Sequence, residues 1–164
     1  SLAASIKDNN GVYFVPAFTG LGAPHWKPNA RGTITGLTGS SGIAEIVRAS
    51  LESVAYQSCD LFDAMQSDGQ IPKIIRVDGA MSNNDWLMQF LSDISNKTIE
   101  RSQTTETTSQ GAAILAAIAS GLIPSIKDSS KYWKLNKQFT PNMDNKEIKK
   151  NKNGWNKAIK KTIM

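Results

Sequence analysis

Apolar positions fall at two spacings along the chain, and the alternation between them predicts the order of elements. Residues 12 to 18 (VYFVPAF) are β-branched and aromatic, with Pro16 marking an edge strand or an irregular extended segment. Gly20, Gly22, Pro24, Pro28, Asn29 and Gly32 then punctuate a long ordered loop, and residues 33 to 37 (TITGL) alternate as a short strand. From Ile43 the three-four spacing of Ile46, Val47, Leu51, Val54, Ala55, Phe62 and Met65 predicts a helix with one buried stripe, capped by Ser41, favoured by Glu45 at its positive end and stopped at Gly69. Residues 73 to 77 (KIIRV) read as a buried strand. A sharp turn at Asp78-Gly79-Ala80 leads from it into a helix from Asn83 to Ser95, with Leu87, Phe90, Leu91 and Ile94 inward. A strand at 98 to 101 and a small-residue helix from about Thr107 to Ser120 follow, the latter able to pack closely on the helix before it through Ala112, Ala113, Ala116 and Ala117. Trp155, Ile159 and Ile163 form an i, i+4, i+8 stripe on a basic tail at about 141 to 164, which reads as a docked terminal helix with a solvated Lys face. Strands alternating with helices predict an α/β fold, a mixed sheet covered by helices.

Composition adds limits to that picture. The chain has 164 residues and 40% hydrophobic content, enough for one domain with one core. Its net charge of +5 is unevenly spread. Residues 1 to 126 carry 8 Lys+Arg against 11 Asp+Glu, and residues 127 to 164 carry 11 against 3. A nucleic-acid reader places its cations on a folded face or among stacking aromatics, so this tail argues for no nucleic-acid partner. Cys59 has no second cysteine and falls on an apolar helical pattern, which predicts a buried inert thiol in a reducing compartment. The apolar run from Gly111 to Ile123 is shorter than the roughly 20 residues of a bilayer crossing, and no leader pattern opens the chain. The expectation is a cytoplasmic protein with no membrane partner.

Three stretches carry a family resemblance. They are NGVYFVPAFTGLGAPHW at 10 to 26, GTITGLTGSSGIAEIVRASLE at 32 to 52, and RVDGAMSNNDWLMQFLSDI at 76 to 94 with ETTSQGAA at 106 to 113. Together they resemble the C-terminal, nucleotide-side part of the FGGY carbohydrate kinases, and the GLGAP loop resembles the glycerol branch of that family. The resemblance implies an incomplete actin/hexokinase-like (ribonuclease H-like) C-terminal lobe. It further implies ATP as the phosphoryl donor, with Mg²⁺ in the complete enzyme, and glycerol as the acceptor, giving sn-glycerol 3-phosphate. Carried over residue by residue, the nucleotide contacts fall on Gly79, on Ala80 where the family has a second glycine, and on Asn84. A strand turning sharply into a helix supports this independently, because it presents backbone N–H groups that a phosphate or ribose can approach.

The lobe that would hold the catalytic base and the glycerol pocket has no counterpart here, so no catalytic or metal residue is assigned, and a separate N-terminal glycerol kinase piece is the expected partner. Asp78 reads as a turn residue rather than a Mg²⁺ ligand. His25, with no acid nearby in sequence, reads as a surface or packing side chain, and Trp26 and Trp86 as packing. Two departures from the family, with the lysine-rich tail, motivate an alternative, a non-catalytic remnant or interaction module with weak or no nucleotide binding. The Cβ of Ala80 crowds the nucleotide and penalises a left-handed turn if one is used. Gln110 puts an amide on a helix face expected to be buried.

Overall fold

The computed structural model describes residues 2–69, 72–104 and 106–164. Strands β1 (Tyr13–Val15) and β2 (Thr33–Thr35) form an antiparallel pair, with Phe14 opposite Ile34. Helix α1 (Ile43–Asp68) leads to β3 (Ile74–Val77), and the 3-10 turn Ala80–Asn83 opens into α2 (Asp85–Ser95). Strand β4 (Thr98–Ser102) lies parallel to β3, and β5 (Leu135–Phe139) runs antiparallel on its other side, giving a mixed sheet of order β3-β4-β5. Between β4 and β5 come helix α3 (Thr107–Ala119) and the 3-10 segment Ile126–Tyr132; α4 (Asn145–Thr162) follows β5.

The core forms where α1 crosses α2 and β1 and where α4 closes over β1. Tyr56 of α1 stands at its centre. Its ring stacks on Trp155 of α4 at 5.2 Å between centroids and meets Phe90 of α2 edge-on at 5.6 Å. Leu87, Phe90, Leu91 and Ile94 all turn inward along α2, as their spacing predicts. In the middle of α4, Gly154 lies against Tyr13: a Cβ there would overlap the Tyr13 ring, which accounts for a glycine inside a helix despite its poor propensity.

Several expectations need correction. Helix α1 is capped by Gly42, whose N–H donates to Glu45 Oε2 at 2.9 Å, while Ser41 Oγ instead accepts from the Thr38 N–H. Its buried face runs through Glu45, Ala49, Glu52, Ala55, Tyr56 and Cys59, leaving Ile46, Val47 and Leu51 half-buried and Met65 52% exposed. Reading apolar residues alone misplaces the face because two glutamates turn inward and find hydrogen-bond partners there. Strand β3 lies at a sheet edge among the described residues, so Ile74 is 47% exposed rather than buried. No side chain of α3 is buried, and its principal neighbour is the 3-10 segment Ile126–Tyr132 rather than α2. In the tail, Trp155, Ala158 and Ile159 are buried, whereas Ile163 lies past the helix end and is exposed.

Candidate functional site

The β3–α2 connection is built on one backbone reversal. At Gly79 φ is 83° and ψ 170°, a conformation that L side chains rarely adopt. A Cβ there would meet no atom within 4 Å, so conformation rather than space calls for glycine. The Gly79 carbonyl then accepts twice from Ser82, from its N–H at 3.0 Å and its hydroxyl at 2.7 Å, and the Asn84 N–H donates to the Met81 carbonyl at 3.1 Å. Ala80 opens the right-handed 3-10 turn and carries no positive φ. The left-handed penalty expected for its Cβ therefore does not arise, because Gly79 takes that conformation instead.

Asn84 caps α2, its Oδ1 accepting from the Leu87 N–H at 3.2 Å, and its Nδ2 donates to none of the described residues. Capping thus leaves the amide NH₂, with its two donors, free for a ligand. Gly79, Ala80 and Asn84 lie along a single short turn. Beside it Arg76, Val77, Asp78, Ser102, Thr107 and Trp133 line an open cleft of about 250 Å³, where the Arg76 guanidinium sits 3.8 Å from the centre of the Trp133 ring. Asp85, the first residue of α2, accepts from Lys137 Nζ at 2.7 Å and Arg101 Nη1 at 2.8 Å, and these hydrogen bonds hold its carboxyl below the usual range.

The other sequence candidates serve the fold, except Trp26, which is exposed rather than packed within this chain. His25 does have an acid partner: its Nε2 lies 3.0 Å from Asp60 Oδ2, the same oxygen that accepts from Trp155 Nε1 at 2.8 Å. That pair escapes a local reading because Asp60 lies 35 residues further on, within α1. Trp26 is 72% exposed, and Trp86 stacks on Phe90 at 5.5 Å with the Arg48 guanidinium over it. Burial pushes the Cys59 thiol up to about 12, consistent with an inert side chain. Gln110 is half-buried and donates to the Tyr132 carbonyl at 3.3 Å, so its amide is not stranded in a core. Sequence reasoning missed the buried Glu52, which accepts from Asn9 Nδ2 at 2.7 Å and Arg48 Nε at 2.8 Å; an i, i+4 Arg-Glu pair on α1 is the signal that points to it. Among the described residues no group of three or more His, Cys, Asp or Glu side chains gathers to hold a metal, and no helix is long and apolar enough to cross a membrane.

A mixed sheet covered by helices, with a glycine-dependent turn feeding a capped helix, is the architecture of an actin/hexokinase-like lobe. Residues 1–120 match the FGGY family of carbohydrate kinases, C-terminal domain, and the chain belongs to that family. It is 52% identical over 159 residues to the glycerol kinase of Alteromonas mediterranea, covering 97% of this chain and 32% of that protein. Glycerol kinase 1 of Pseudomonas aeruginosa is 47% identical over 161 residues, covering 98% of this chain and 33% of its own length. Among solved structures, Plasmodium falciparum glycerol kinase with ADP superposes with a TM-score of 0.87 at 38% identity, covering 99% of this chain and 33% of that one. Xylulose kinase of Lactobacillus acidophilus, at 24% identity and a TM-score of 0.82 over 97% of this chain and 32% of its own, shares the fold. The chain spans about a third of the length of these relatives.

Proposed function

We propose that the chain is the nucleotide-side part of an ATP-dependent glycerol kinase, which passes the γ-phosphoryl group of ATP to glycerol and yields ADP and sn-glycerol 3-phosphate. The observation that carries this reading is the identity of 47% to 52% to glycerol kinases along almost the whole chain. The GLGAP loop at 20 to 24 favours glycerol over the sugars used by other branches. Gly79 makes the turn, the Ala80 backbone lies against the nucleotide, and Asn84 reaches the adenosine side with the amide that capping leaves free.

Phosphoryl transfer rests on positioning and charge stabilisation between closing lobes, and it needs a base for the glycerol hydroxyl. The acids that this fold organises are already engaged: Asp60 by His25 and Trp155, Asp85 by Arg101 and Lys137, Glu52 by Asn9 and Arg48. Neither a base for the glycerol hydroxyl nor a glycerol pocket is assigned within the chain, and both are supplied by an N-terminal lobe, on the same polypeptide or a separate one. Mg²⁺ would enter with ATP and offset the charge on the transferring phosphoryl group. The reaction belongs to the cytoplasm, where ATP is available and the single thiol stays reduced.

The test has two parts. The purified chain, supplied with ATP, Mg²⁺ and glycerol, is expected to form no glycerol 3-phosphate, and turnover by the chain alone would sink the division of labour. Calorimetry is expected to show ADP binding weakened about tenfold by Asn84→Ala, the size of one lost ligand hydrogen bond, with melting changed only by the cap's share of about 1 kcal/mol. Unchanged affinity would remove Asn84 from the site.

A further inference from the structure

Arg101 is the side chain around which the β3–α2 turn is assembled, and sequence reading gave it no role. It projects from β4 and is only 11% exposed despite its charge. Its Nη1 donates to the Ser82 carbonyl at 2.7 Å, inside the 3-10 turn, and to Asp85 Oδ1 at 2.8 Å, immediately after Asn84. Its Nε donates to Asn136 Oδ1 on β5 at 3.0 Å. One guanidinium thus joins both ends of the Ser82–Asp85 segment to the two sheet strands beneath it. Lys137 of β5 reinforces the arrangement through Asp85 Oδ2. Lysine cannot replace Arg101 here, because only the rigid fork of guanidinium donors serves a carbonyl, a carboxylate and an amide in divergent directions.

We propose that Arg101 is a positioning residue for nucleotide binding: it holds the Ala80–Asn83 turn and Asn84 in the orientation that presents Asn84 Nδ2 and the turn backbone to the nucleotide. The proposal rests on the nucleotide-side reading given above. Gly79 has open space around it, and the bonds that fix Asn84, from the Leu87 and Met88 N–H groups, run to α2 alone, so nothing else described ties the Ser82 carbonyl to the sheet. Without the clamp the turn retains its local hydrogen bonds and the Lys137–Asp85 tie to β5, but the Ser82 carbonyl loses its anchor on β4. The cost appears as lost preorganisation on binding.

The test is a double-mutant cycle on ADP affinity, by calorimetry on the full chain, with Asn84→Ala, Arg101→Gln and the pair. Arg101→Gln is expected to weaken ADP about tenfold, as for loss of one charge-assisted hydrogen bond. In the double variant the two losses are expected not to multiply, because a displaced turn no longer presents Asn84, whereas a merely structural Arg101 would leave them independent. ADP bound by Arg101→Gln as tightly as by the parent, or losses that multiply in full, would overturn the proposal while leaving the site reading intact. An Asn84→Ala variant indistinguishable from the parent, or a parent that binds no ADP, would overturn the reading and the proposal with it. Should Arg101→Gln fail to fold, Asp85→Asn, which weakens one arm of the clamp, is expected to lose about threefold in affinity, and no loss would count against the clamp.

Discussion

Replacing Trp155 with alanine is expected to cost about 3–5 kcal/mol of folding stability, the range seen when a buried tryptophan is truncated. Trp155 is 2% exposed, stacks on Tyr56 at an interplanar angle of 19°, and donates its indole N–H to Asp60. Its loss opens a void between α1 and α4 and leaves Asp60 with His25 as its remaining side-chain partner. Because α4 also covers β1 and Tyr13, the variant should show exposed aromatic surface as well as a lowered denaturation midpoint. Urea unfolding followed by fluorescence and circular dichroism measures both. A loss under about 1 kcal/mol would mean that the basic tail is not docked as described.

Glu52→Ala is expected to be nearly as damaging, at about 3 kcal/mol, through electrostatics rather than volume. Glu52 is 2% exposed, and removing it strands the Arg48 guanidinium, itself 11% exposed, with the Ala3 and Ile6 carbonyls as remaining partners. It also frees Asn9, which otherwise ties the N-terminal segment to α1. The carboxyl has a pH signature too. Burial, only partly offset by the hydrogen bonds from Arg48 and Asn9, raises it above the usual glutamate value near 4.5. The native state therefore holds its proton more tightly than the unfolded chain, so this contribution is full below the unfolded value and fades as pH rises through the native one. Glu52→Gln should flatten that part of the stability profile. An unaltered slope would assign the titration to another group.

The elements that sequence reveals here are those whose burial is purely apolar. Leu87, Phe90, Leu91 and Ile94 mark the inner face of α2 because nothing polar interrupts them. Helix α1 is legible as a helix but not in its orientation, since Glu45 and Glu52 face inward and their partners Asn10 and Asn9 lie far back in the chain. Strand β5, LNKQF, buries only Phe139 and so gives no alternating signal; it exists because β4 offers it a hydrogen-bonding edge. At the candidate site, Gly79 is legible from backbone chemistry and Asn84 from its capping position. Arg101 is not, because its importance lies in three partners drawn from three elements, Ser82, Asp85 and Asn136. The strain expected at Ala80 belongs to its neighbour Gly79. That removes left-handed strain as a ground for preferring the non-catalytic alternative, and the hydrogen bond made by Gln110 removes the stranded amide as another.

Whether the β3–α2 turn of this chain receives the nucleotide is decided by an ADP titration of the ¹⁵N-labelled chain, read at every backbone amide and side-chain amide. The expected result is saturable shifts confined to Asp78 through Asp85, the Asn84 side-chain NH₂ and the Arg101 Nε–H, with the His25–Asp60–Trp155 contact and the α4 lysines unmoved. Saturable shifts centred on another part of the chain, or none in that turn at millimolar ADP, would contradict it.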